Sequence, residues 1–231
     1  GVFIKYLVNE LKQNIVNKRI NKIIMINDHD YSFNLTNKLK LLISLNPNHP
    51  HLRLTNVEYL NGTNPLSGFL KHHLESGIIN DISQYHNDRI ITIKIQRSDE
   101  LGYIRHYHLH LELTGRTCNL IITNEDNIIL EALKKGFFND GRIIQTKVNY
   151  SYPESQKQNP YQATTIPSEN IFEGVSQLLF REIRFMKNIT TVLNRKANPV
   201  IINAKKVECY CFDLLHLEGE RQNFKTISEM L

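Results

Sequence analysis

The sequence predicts an α+β fold: mainly antiparallel sheets with flanking helices, followed by a small, mostly helical C-terminal part. Three observations lead there. Short strand-like apolar runs recur with polar turns between them, which is the pattern of an antiparallel sheet system carrying a few helices. The stretch "NYSYPESQKQNPYQATTIPS" holds three prolines and little periodicity, and helical spacing follows it. The chain has 231 residues, 41% of them hydrophobic, enough for one large domain or for one domain with a small appendage.

Taken in order, Phe3, Ile4, Leu7, Val8, Leu11 and Ile15 have helical spacing and predict an amphipathic first helix. "RINKIIMIN" and "YSFNL" read as strands around the turn "NDHD". "LKLLISL" is a further strand, "NPNHPH" breaks it, and "LRLT" resumes extended structure. Asn64-Pro65 starts a helix that Gly77 stops. Two strands flank Asp88-Arg89, and "IRHYHLHLEL" alternates strictly. After the turn "TGR" come the strand "CNLIIT", the turn "NEDN" and "IILEAL". Beyond the proline-bearing stretch, "IFEGVSQLLFREIRFM" reads as helix, with Leu178, Leu179 and Ile183 on one stripe. "PVIINAKKVECYCFDLLH" reads as a hairpin through "NAKK", and "TISEML" opens a last helix that the chain leaves at Leu231, so that more chain is expected to follow.

The composition excludes several classes. No apolar run is long enough to span a bilayer, and no signal peptide is legible, so no membrane partner is expected. Cys118, Cys209 and Cys211 form neither a CxxC pair nor a zinc spacing, which predicts a reducing, cytoplasmic setting. Cys209 and Cys211 are expected to share a strand face as packing residues. The net charge of +5 is spread along the chain, a mild bias toward polyanions that suits structured RNA at least as well as a DNA-reading helix. No nucleophile elbow, phosphate-binding glycine loop or paired-carboxylate arrangement occurs, so the chain is not expected to be an enzyme or to carry a cofactor.

The candidate sites are few. Asp88 and Arg89 enter a strand side by side and point to opposite sides, so one can anchor locally while the other reaches a ligand. On spacing alone the better reading is an ordinary turn acid beside a surface base. His106, His108, His110 and Glu112 share one strand face, but same-face neighbours lie about 7 Å apart, too far to close on one metal ion. A solvated or RNA-facing polar face is expected there, and no metal. His72 and His73 diverge by about 100° on their helix and do not form one site. Asp28 and Asp30 sit in a polar turn that needs no catalytic explanation.

Eight blocks in order resemble the N-terminal region of the NFACT family of ribosome quality control factors, often labelled fibronectin-binding proteins. They are "GVF", "KRINKI", "LLISLNPNHPHLRLT", "FLKHHLESGII", "NDRIITIKI", "LELTGRTCNLIIT", "FEGVSQLLFREI" and "DLLHLEGERQNFKTISEML". The resemblance implies an NFACT-N-like domain over residues 1–150, distantly similar in fold to formamidopyrimidine-DNA glycosylases. A connector over 151–168 and a reduced helix-hairpin-helix-like part over 169–231, leading toward a coiled coil, would follow. It implies binding to the large ribosomal subunit obstructed by peptidyl-tRNA. It also implies recruitment of a tRNA, alanyl in bacteria, for template-free tailing of the stalled chain. Asp88 and Arg89 fall on the family's tRNA-contacting pair, with direct contact the preferred role for Asp88. Glu112, Gly115 and Arg116 fall on its neighbouring E-x-x-G-R turn. Three departures stand out. The Asp that usually precedes the position of Gly1 is outside this chain, the "SPLL" block has Gln177-Leu178 at its Pro-Leu, and the "PG-x-x-Y" block is reduced to "VNY". The Pro-Glu pair of the glycosylases does not occur, so their chemistry is not expected. A surface adhesin binding fibronectin or fibrinogen is the alternative function, with fibronectin as its partner.

Overall fold

The computed structural model describes residues 1–231, and the chain is α+β with four antiparallel sheets. In chain order the elements are α1 (Val2–Ile15), β1 (Ile20–Met25), β2 (Asp30–Leu35), β3 (Lys40–Ser44), β4 (His51–Thr55) and α2 (Pro65–Leu74). Then come β5 (Ile78–Gln84), β6 (Ile90–Ser98), β7 (Ile104–Glu112), β8 (Asn119–Asn124), β9 (Ile129–Ala132), β10 (Gly136–Phe137) and β11 (Ile143–Ile144). The last are α3 (Gln177–Met186), α4 (Ile189–Leu193), β12 (Val200–Asn203), β13 (Val207–Tyr210), β14 (Glu220–Asn223) and α5 (Ile227–Met230). No helix is long and apolar enough to cross a membrane.

The chain divides into two compact units, and the division does not follow the sequence in one cut. A sheet unit holds Leu11–Tyr85 and Ile90–Glu154. A composite unit gathers Gly1–Glu10, His86–Arg89 and Ser155–Leu231. Residues 1–10 and 86–89, expected in a domain spanning 1–150, therefore group with the C-terminal stretch.

In the sheet unit, β1–β4 form a meander in sequence order, and β5–β9 form a second one. Both are built from hairpins, as short polar turns between strands dictate. β3 is buried along its whole length, which explains its unbroken apolar run. α2 starts where Asn64-Pro65 predicts: the Asn64 side chain accepts from Ser67 N–H while Ser67 Oγ accepts from Asn64 N–H, a reciprocal cap. The expected solvated face of β7 is corrected at its C-terminal half, while His106 and His108 stay partly exposed. His110 is 1% exposed and Glu112 2%. The cause is the segment just after β11: the Tyr150 ring stacks on His110 at 4.1 Å, and Tyr152 stands edge-on to it. Thr92 and Thr123 give His110 a hydroxyl at each ring nitrogen, at 3.0 and 3.2 Å. Tyr152 is thus packing against the sheet at a position where the sequence suggested a connector.

In the composite unit, α3 begins at Gln177 instead of Ile171, because the Ser176 side chain caps Leu179 N–H and Gly174 sits at φ +67°. α3 and α4 pack together, joined through left-handed Lys187 and the Asn188 cap. β13, β12 and β14 form a three-stranded sheet, including the expected hairpin through "NAKK". β13 ends at Tyr210, which breaks the alternation; Cys209 is exposed and Cys211 buried, so the two do not share a face. The first turns of α1 contribute rings, with Phe3 against Tyr210 and Tyr6 against Phe212. Glu10 accepts from Ile227 N–H, Ser228 N–H and Ser228 Oγ–H at 2.6–3.1 Å, satisfying the start of α5. Glu182 of α3 is fully buried and receives Arg195, His216 Nδ1 and the N–H groups of Leu215 and His216.

Candidate functional site

Asp88 and Arg89 lie in the turn between β5 and β6. Tyr85 N–H donates to Ile90 C=O at 2.9 Å and closes the hairpin, leaving His86–Arg89 as the loop. A side-chain and backbone dock holds that loop in place. Asn87, only 7% exposed, donates its Nδ2–H to Glu173 C=O at 2.6 Å and its N–H to the Glu173 carboxylate at 3.3 Å. Gly174 then passes so close that a Cβ there would lie 1.8 Å from Asn87 O. Only glycine fits that approach. Asp88 is half-buried and its Oδ1 accepts from Arg89 N–H at 2.6 Å, while the Arg89 side chain is exposed. The pair is divided as neighbouring strand-entry residues should be, the acid turned to the local backbone and the base outward.

Glu112, Gly115 and Arg116 belong to the sheet unit, at the β7–β8 turn. Gly115 has φ +70° in a 3-10 turn over Gly115–Thr117, a conformation that favours glycine. Thr114 and Thr117 join their hydroxyls at 2.9 Å, and Cys118 N–H donates to Gly115 C=O. Arg116 projects from this turn and is exposed. Glu112 points inward. Arg142 meets it through two nitrogens, at 2.6 and 3.0 Å, and Tyr150 donates its hydroxyl at 2.9 Å. Arg142 in turn bonds Asp140 and Ser151 C=O. Burial penalises the Arg142 charge, but the bonds to Glu112 and Asp140 outweigh it and hold the guanidinium protonated. Burial, then the Glu112 charge, pushes the Tyr150 hydroxyl well up.

The structure thus places Asp88 with Arg89 on one docked turn, and Gly115 with Arg116 on another, with Glu112 one step behind the second. Sequence reasoning missed the supporting residues: Asn87, Glu173 and Gly174 for the first turn, Arg142 and Tyr150 for Glu112. "HNDR" carried a legible cue, since Asn in a tight turn bonds backbone groups. The partners of Glu112 lie 30 and 38 positions away and left none.

The family model for NFACT N-terminal and middle domains matches residues 1–184. The chain belongs to the NFACT family. Across its whole length it is 29% identical to the Rqc2 homolog RqcH of Bacillus subtilis, covering 47% of that protein. Over 76% of its length it is 30% identical to the Rqc2 homolog RqcH of Streptococcus suis, covering 33% of that one. The chain therefore spans about half or less of these curated NFACT relatives. Among solved structures, the N-terminal part of the fibronectin/fibrinogen-binding protein of Streptococcus suis shares the fold, with TM-score 0.88 over the whole chain and 96% of that chain at 22% identity. The fibrinogen binding protein of Staphylococcus aureus matches at TM-score 0.86 and 26% identity, again over the whole chain and 96% of its counterpart.

Proposed function

We propose that this NFACT chain is the RNA-binding portion of a cytoplasmic ribosome quality control factor. In this reading it binds the large ribosomal subunit obstructed by peptidyl-tRNA. There it recruits a tRNA, alanyl-tRNA in particular, for template-free tailing of the stalled chain. The chain binds and positions, and catalysis belongs to the ribosome.

The observation that supports this most is the β5–β6 turn. It presents an exposed Arg89 on a loop whose backbone is fixed by Asn87, Glu173 and Gly174. A guanidinium held on a fixed loop suits stacking or paired hydrogen bonding to unpaired anticodon-loop bases, because less order has to be gained on binding. Asp88 contacts the same RNA beside it. Arg116 supplies a second cation, on a turn backed by the buried Glu112–Arg142 pair.

Recovering the protein from cells and sequencing the bound RNA tests the reading. Large-subunit rRNA together with one tRNA class is the expected result, and a pool without either sinks it. The names of the two solved relatives favour a second reading, a surface adhesin for fibronectin or fibrinogen. Fractionation of intact cells separates the two, because an adhesin must appear at the surface.

A further inference from the structure

The sheet unit carries a second surface with the chemistry of RNA recognition. β10 and β11 pair antiparallel, with Gly136 opposite Ile144 and Phe137 opposite Ile143. One side of this ribbon is committed to the interior. Ile144 is 1% exposed in a cluster with Ile121, Ile129, Ala132 and Tyr150, and Phe138 packs against it. The cross-strand pair Phe137 and Ile143 does not share that burial; Phe137 is 85% exposed. A large ring held in water contributes nothing to the core.

The ribbon is rigid. Phe138 N–H donates to Arg142 C=O, Gly141 N–H returns to Phe138 C=O at φ +82°, and the Arg142 guanidinium is fixed by Glu112. Its entry is tied to the β7–β8 turn. Lys134 Nζ donates to Arg116 C=O at 3.1 Å, and the Lys134 backbone exchanges bonds with the Asn119 side chain. Arg116 and Lys134 are thus tied together, and Lys134 stands three positions before Phe137 in the chain. The acids close by take up two of the cations: Glu131 pairs with Lys135, and Glu112 and Asp140 both with Arg142, which leaves Arg116 and Lys134 without a carboxylate partner.

We propose that Phe137 stacks on an unpaired RNA base while Arg116 and Lys134 meet the adjoining phosphates. This rests on the RNA-binding reading above and adds a contact to it. An exposed ring beside several cations is what single strands require, since every base offers a π-face and every linkage a negative charge. Paired RNA hides those faces, so single strands are preferred. A second copy of the chain fits less well: two side chains fall far short of the roughly 800 Å² per partner of a stable interface.

The chain has no tryptophan, so Phe137→Trp installs a sole tryptophan reporter, excited selectively near the red edge, at the site. The whole chain is titrated with a short single-stranded RNA and with the same RNA annealed to its complement. The single strand is expected to quench the Phe137→Trp emission and to saturate, with the duplex weaker. Phe137→Ala should lose about fivefold or more in single-strand affinity. Phe185→Ala, which removes another exposed ring on α3, should change nothing. Full single-strand binding by Phe137→Ala, with Arg89→Ala still weakening tRNA, overturns this inference alone. Self-association abolished by Phe137→Ala overturns it in favour of an interface between copies. No binding of any RNA by the wild-type chain overturns both this inference and the reading beneath it.

Discussion

At Arg89 the side chain is exposed and only the backbone N–H is engaged, by Asp88 Oδ1. Arg89→Ala therefore removes a charge without opening the core. It should weaken tRNA association about tenfold, the size of one charge-assisted contact, with the urea midpoint unchanged. Equal tRNA affinity in a folded variant would remove Arg89 from the interface. Glu112 is the opposite case. Its side chain is 2% exposed and the facing Arg142 10%. Glu112→Ala takes the main acceptor from a buried guanidinium, which keeps Asp140 and Ser151 C=O, and from the Tyr150 hydroxyl, a loss of about 1.5–3 kcal/mol. Urea unfolding measures it, and a loss under about 1 kcal/mol would mean the pair is hydrated. An effect of Glu112→Ala on RNA binding is thus expected to travel with stability, whereas that of Arg89→Ala is not.

At the scale of elements, the β5–β6 hairpin and the 3-10 turn after β7 are positioned by different means. The hairpin loop is held by a dock to Glu173 and Gly174, the other by a glycine at φ +70° and a threonine pair. Gly174→Ala is the sharpest test of the dock. At φ +67° the alanine is strained in its own backbone, and its Cβ would also have to push Asn87 O away. A loss of about 1–3 kcal/mol is expected. Amide exchange at residues 86–89 should rise and tRNA affinity fall together. Unchanged exchange in that loop would show that the dock does not order it.

At the scale of the whole molecule, each unit buries a group whose titration bears on stability, His110 in one and Glu182 in the other, and both respond to acid in the same direction. In the sheet unit, burial, helped by the neighbouring His108, lowers His110 from 6.5 to about 3. The unfolded chain binds this proton and the folded chain does not, so stability falls as pH drops below about 6.5, by up to about 1.4 kcal/mol per pH unit. In the composite unit, burial pushes the Glu182 carboxyl up, but donors from His216, Arg195 and Leu215 prevail and hold it below 4.5. Its contribution is present above the ordinary carboxylate range and is lost as pH falls through the lowered value. Urea midpoints should therefore decline from near neutrality and more steeply below about pH 4.5. His110→Gln should flatten the upper part of that decline. A flat profile down to about pH 5 would mean that His110 titrates normally.

The short apolar runs "RINKIIMIN", "YSFNL" and "CNLIIT", the polar turns, and the Asn64-Pro65 start were enough to determine α+β with antiparallel sheets, because strand pairing through short turns is local. The ordered blocks were enough to reach the family. Two things needed tertiary structure. Period-two alternation assigns His110 and Glu112 to one face of β7, but only the return of Tyr150 and Tyr152 decides that this end of the face is covered. Nor does spacing distinguish Arg89, which remains at the surface, from Arg142, which is drawn inward by a carboxylate 30 positions away. Local pattern sets which side a residue faces, and burial depends on what the rest of the chain brings against that side.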